Sequence, residues 1–385
     1  MGALSTYLLS LLTAAFPFMQ RDGPNLPIPS FTQEEIDSGA ALRRLNGIAA
    51  ANALNRYGNN CTAANVKVRR EWRALSKDER RQYIKAVKCI MDKPNTIVSQ
   101  LEVPGAKMLY DAIACLFLVF HRYYLHAFER ELGSCGWEQG VPYWEWGLDT
   151  NGPHLSPVFD GSDTSLGSDG AFIPNRTAAR LDLLGFQEPT IIPPGTGGGC
   201  LMKGPFSDMV VRLGPVEVLP SQPFPSAPKE GREENPRCLQ RDLNGDPVRR
   251  WNTHRNVTEL ILKYNTIREF QGTMEGDPRV TREAFNTHQA AHGAIGGLAM
   301  NPLFSPYDPA FWLTHGMVER LYWIWQLLDF DNRQDVWGTR TFLNIPPSPN
   351  ITVEDTIDIQ PLIGPVKIKD LMNPVGGTPL CYVYS

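Results

Sequence analysis

No Cys-x-x-Cys pair occurs anywhere in this chain of 385 residues, which excludes the paired-cysteine zinc sites that organise many small metal-binding domains. No segment repeats, and Gly (33) and Pro (32) are both frequent, so a solenoid is excluded in favour of packed elements joined by long irregular connections. A basic excess is missing too. The net charge is -4, and basic stretches such as "KVRREWR" alternate with acidic ones, so neither nucleic acid nor an anionic membrane is attracted broadly. Histidine is scarce, with seven residues in all, yet three of them fall between His288 and His315.

The opening "MGALSTYLLSLLTAAFPFMQR" is apolar and uncharged up to Arg21 but too short to span a bilayer comfortably. A secretory signal over residues 1–20, followed by one domain over 21–385, is the reading adopted. Four N-x-S/T sequons, at Asn60, Asn175, Asn256 and Asn350, fit passage through the secretory pathway and are glycosylation candidates. Seven cysteines allow three disulfides and one odd thiol. Cys61 with Cys89 and Cys200 with Cys238 are the expected pairs, each closing a loop of a few dozen residues.

Helical sequence runs from about Phe31 to Arg56 and again through "LSKDERRQYIKAVKCIMDK", where Ser76 and Glu79 form a capping box, making 31–94 an N-terminal helical segment. "AKMLYDAIACLFLVFHRYYLHAFEREL", within the region 105–150, reads as one long helix ending at Gly133. The middle, roughly 151–250, is rich in Gly, Pro, Ser and Asp without sustained periodicity, and is read as ordered loop. Helical pattern returns at "NVTELILKYNTIREF" and through 280–330, where Asp308 is the predicted N-cap and Pro309 the first helical residue of "DPAFWLTHGMVERLYWIWQLLDF". The tail 331–385 reads as short strands and turns.

In "HQAAH", His288 and His292 are four apart, so on a helix both rings leave one face about one turn apart and can reach one metal ion. His315 lies on the next helix in a stripe with Phe311, Val318, Tyr322 and Trp325, completing three nitrogen donors that suit copper or zinc by ligand type. His121 has a similar apolar setting, with Tyr124, Leu125 and Phe128. His126 is rotated by about 140° from it and faces away. His154 and His254 sit in loop and helix-entry sequence, where exposed or capping roles are expected.

The blocks "FLVFHRYYLHAFERELGSCGWEQGVPYWEW", "HQAAHGAIGG", "SPYDPAFWLTHGMVERLYWIWQ" and the terminal "YVY" resemble, in that order, the tyrosinase family of type-3 copper proteins. The resemblance covers about Cys61 to the end and is similar to secreted fungal members. It implies a mainly α fold, with a four-helix-bundle core, long irregular loops and a few short strands. It further implies two copper ions, each held by three histidines, which bind O2 and oxidise phenols or catechols to o-quinones, in pigment or secondary metabolism. His288, His292 and His315 match the second copper site and His121 the last ligand of the first. Glu319, Asp308 and Gln289 are expected to support the ligands from behind.

The match departs from the family at several points. Two further first-site histidines are expected between the tyrosine-containing helix and the "HR" block, where this chain joins Ala114 directly to Cys115. Phe120, Thr314, Gln289 and Glu319 replace the usual Trp, His, Asn and Asp. Two readings follow: an oxidase whose sequence lacks a segment at that junction, which we favour, or a shortened member that holds one copper and is non-catalytic or altered. A carrier of O2 or a structural copper protein is a third class, less favoured for a secreted single core.

Overall fold

The computed structural model describes residues 25–95, 118–183, 185–215, 231–360 and 362–385. The expected signal at 1–20 and the Ala114–Cys115 junction lie outside them, as does Cys115. The N-terminal helical sequence forms two helices, α1 (Gln33–Asp37) and α2 (Ala40–Leu54), separated by a break at Gly39, whose φ of 76° ends a right-handed helix. After β1 (Lys67–Arg69) comes α3 (Lys77–Asp92), with the Ser76–Glu79 capping box formed in both directions. Helix α4 (Leu118–Ser134) carries His121.

The middle holds more regular structure than its composition suggested. Strands β2 (Gly170–Phe172), β3 (Ala179–Leu181), β4 (Thr190–Ile192), β5 (Gly198–Leu201), β6 (Val210–Val211) and β7 (Arg237–Cys238) form three two-stranded antiparallel sheets. They are two to four residues long, too short for an alternating pattern to register. Helices α5 (Gly245–Trp251), α6 (His254–Lys263), α7 (Ile267–Met274), α8 (Thr287–Ile295) and α9 (Ala310–Leu328) follow, then the hairpin β8 (Thr356–Ile359) and β9 (Ile363–Lys367) and the final strand β10 (Tyr382–Tyr384).

Helix α9 is the axis of the core. All of its residues from Ala310 to Leu328 are buried, as a helix apolar on every side requires, and it packs against α2, α4, α6 and α8. Trp312, Trp323 and Trp325 are fully enclosed there, and truncating any one to Ala is worth about 3–5 kcal/mol. Two charged residues interrupt this helix and both are paired: Glu319 with Arg122 of α4 at 2.9 Å, and Arg320 with Glu145 at 3.0 Å. No helix among the described residues is long and apolar enough to cross a membrane.

The disulfides correct one expectation. Cys61 bonds Cys381 and Cys89 bonds Cys135, so Cys61 and Cys89 are not partners; Cys200 bonds Cys238. The cause lies in the tertiary pairing. Strand β1 runs parallel to β10, Lys67 opposite Tyr382, and this brings Cys381 beside the loop that holds Cys61. Helix α3 packs on α4, which sets Cys89 against the end of α4. The predicted start of α9 moves by one residue: Pro309 is the N-cap and Ala310 the first helical residue, but the Asp308 carboxylate still accepts from the Ala310 N–H at 2.9 Å.

Candidate metal centre

Asn286 caps α8, its side chain accepting from the Thr287 N–H, and the helix then presents His288 and His292 one turn apart on one face. Their Nε2 atoms are 3.1 Å apart. Helix α9 brings His315 alongside, with Nε2 3.2 Å from that of His288. One donor atom from each of the three can be chosen so that all lie within 4.8 Å of one another. His121, on α4 and 6% exposed, joins the group: its ring centroid is 4.2 Å from that of His315 and 6.2 Å from that of His288. The aromatic wall is Phe311, stacked on His315 at 3.8 Å.

The far sides of the rings show which nitrogen faces the centre. His292 Nδ1 lies 2.7 Å from the Ala299 carbonyl and His315 Nδ1 3.1 Å from that of Phe311. A carbonyl oxygen only accepts, so each Nδ1 carries the proton and each Nε2 presents a lone pair to the centre. His288 Nε2 faces both lone pairs and can donate to one at most. At least one of these contacts therefore sets lone pair against lone pair, an arrangement that a cation between the rings resolves. Burial keeps the rings uncharged: His292 is pushed down to about 4 and His121 to about 3, while desolvation holds His288 and His315 well below the ordinary histidine range. Neutral imidazole nitrogen donors fit copper.

The remaining histidines do not join the site, and all seven of the sequence are described. His126 stacks on Tyr123, 6.1 Å between centroids, on another face of α4. His154 is exposed. His254 corrects an expectation: although it begins α6, it is 7% exposed, with Nε2 2.9 Å from a Glu145 carboxylate oxygen, in the buried group that also holds Arg320.

The expected supporting residues act less directly than foreseen. Glu319 accepts from Arg122 at 2.9 Å and from the Tyr382 hydroxyl, bolting α4 and the terminal "YVY" strand to α9. Asp308 receives both arms of Arg241, and Gln289 donates to the Glu275 carbonyl. Sequence reasoning missed Arg122, Arg241 and the Ala299 carbonyl; the two glycines after "HGAI" were the one available sign of a special turn there. Of the sequons, Asn60, Asn175 and Asn350 are exposed, whereas Asn256 completes the capping box of α6 and its partner Thr258 is buried.

A family model described as the common central domain of tyrosinase matches residues 111–328, more than half of the chain. Tyrosinase P of Aspergillus terreus is 35% identical over 336 residues, covering 83% of this chain and 92% of its own length. N-acetyl-6-hydroxytryptophan oxidase of Emericella nidulans is 32% identical over 353 residues, covering 84% and 94%. Among solved structures, a polyphenol oxidase variant from Thermothelomyces thermophila aligns with a TM-score of 0.77 at 31% identity, over 91% of this chain and 96% of that one.

Proposed function

This chain belongs to the tyrosinase family of copper oxidases, and we propose that it oxidises phenols or catechols to o-quinones at the expense of O2. The observation that carries the proposal is the convergence of His288 and His292, both half-buried, and the buried His315 on one point, with His121 beside them. Copper bound there supplies the electron transfer between an aromatic diol and O2 that no protein side chain provides. The chain's own part is to hold and to exclude. The carbonyls of Ala299 and Phe311 fix the donor nitrogens, burial keeps the imidazoles uncharged, and Phe311 closes one wall with an aromatic face. No acid or base beyond the ligands is assigned. A relative named for oxidising a hydroxytryptophan derivative supports a small phenol-bearing substrate.

The three disulfides and the exposed sequons Asn60, Asn175 and Asn350 support a secreted protein. One main hydrophobic cluster running from Leu42 to Tyr384 supports reading 21–385 as one domain. Oxygen uptake with catechol tests the oxidase: a chain loaded with two coppers that consumes no O2 would sink it.

A specific observation favours a second reading. All seven histidines are described, His288, His292 and His315 gather on one point, and His121 is the one other beside them, which supports counting one full set of three imidazole ligands in this chain. On this reading it holds one copper and is non-catalytic or altered. Metal analysis separates the two, since one copper per chain with no O2 uptake supports the second and two with uptake the first. Sequencing the transcript across Ala114 and Cys115 shows whether a segment is missing.

A further inference from the structure

The short stretch Leu239–Asn244 touches both elements that aim the metal-facing rings. From the structure we infer that Arg241, with the backbone on either side of it, is the positioning element of the three-histidine site, acting on His292 through a glycine turn and on His315 through Asp308. The inference rests on reading His288, His292 and His315 as a metal site.

The first route is backbone. Asp242 N–H donates to Ile295 O at 3.0 Å, Asn244 N–H to Ala294 O at 2.9 Å, and Leu298 N–H to Gln240 O at 3.2 Å. Between these bonds lie Gly296, at φ 64° and ψ -161°, a conformation essentially reserved for glycine, and Gly297 at φ 52°. A Cβ on Gly297 would stand 2.2 Å from Gln240 O, and one on Gly296 2.4 Å from Asp242 O. The turn is thus moulded on residues 240–242. It ends by presenting the Ala299 carbonyl to His292 Nδ1 at 2.7 Å.

The second route begins at the guanidinium. Arg241 Nε and Nη2 donate to the two oxygens of Asp308 at 2.7 and 2.6 Å, with both side chains fully buried. Asp308 uses one of those oxygens to accept from Ala310 N–H and its main-chain carbonyl to accept from Phe311 N–H at 2.9 Å. The Phe311 carbonyl in turn accepts a hydrogen bond from His315 Nδ1–H at 3.1 Å. Both routes end on an Nδ1 atom, and the hydrogen bond at one ring nitrogen fixes where the other points. The brace is itself anchored: Gly198 N–H donates to Arg241 O at 2.7 Å, Leu201 N–H to Leu239 O at 2.8 Å, and Cys200 is bonded to Cys238.

Arg241→Lys tests this, because lysine keeps the charge and loses the fork. Copper(II) affinity by chelator competition is expected to weaken by about 10- to 100-fold. In the metal-free protein, imidazole 15N spectra are expected to show His292 and His315 as Nδ1–H tautomers, and the variant to show exchange between tautomers. A second variant, Cys200→Ser with Cys238→Ser, removes only the anchor at an exposed edge; it guards against a misfolded first variant and is expected to shift both readouts the same way by less. Folded variants with unchanged copper affinity and unchanged tautomers, even if their unfolding midpoint falls, would overturn the inference. Failure of the unaltered chain to take copper would defeat the metal-site reading, while the tautomers would still decide the brace.

Discussion

Replacing Glu319 by Gln should destabilise the metal-free chain by about 3 kcal/mol, the lower end of what breaking a buried ion pair costs. Arg122 and Glu319 have fully buried side chains 2.9 Å apart, on α4 and α9, and Glu319 is the one carboxylate among the described partners of Arg122. Without it the guanidinium stays charged, since arginine does not give up its proton, and stays buried. The cost sits at the lower end because Arg122 keeps neutral contacts: Nη1 to Gln326 Oε1 and to Leu371 O, each at 3.0 Å, and the Tyr322 ring at 4.4 Å. Removing both charges, as Arg122→Met with Glu319→Leu, deletes the uncompensated ion but leaves the Tyr382 hydroxyl without its acceptor and Gln326 Oε1 and Leu371 O without their donor, at about 1–3 kcal/mol each. The double variant should therefore be at least as unstable as the single one. Urea unfolding at pH 7 with linear extrapolation measures both. A single-variant cost below about 1 kcal/mol would refute the view that this pair bolts the helix of His121 to the helix of His315.

Two further outcomes follow from the same structure. Acidification should weaken the metal-free chain between pH 6.5 and 4. His121, at about 3, and His126 and His292, both at about 4, stay neutral while folded, so in that window the unfolded chain binds more protons and stability falls with pH, levelling off below the folded values. Each such group contributes about 1.4 kcal/mol per pH unit, so His126→Leu should reduce the slope of unfolding free energy against pH by about one proton, and an unchanged slope would count against it. Cutting the Cys61–Cys381 bond by a pair of serines opens a link spanning 320 residues, worth about 6 kcal/mol in the chain-entropy account. Hydrogen exchange should speed up first in β1 and β10; uniform exchange throughout would contradict the view that this bond holds the terminal strand.

What the sequence disclosed and what it hid divide by range. His288 and His292 were legible because their relation is local, four residues on one helix, and His315 because its helix is apolar on all sides and sharply begun. The capping box at Ser76 was legible for the same reason. The partner of Cys61 was not, because Cys381 reaches it only through the parallel pairing of β1 and β10, a contact no spacing rule anticipates. His254 looked exposed because its immediate neighbours are polar, and it is buried because Glu145 and Arg320 arrive from other elements to receive it. Arg241 shows the limit most clearly. Nothing in "LQRDLN" marks an arginine that faces a metal centre, and it does not face one. It acts through Asp308 and through the backbone that shapes the Gly296–Gly297 turn, so its importance lies in bonds whose other ends are tens of residues away. Ligands can be found by their own chemistry and spacing; the groups that aim them need share neither, and only the folded chain shows which they are.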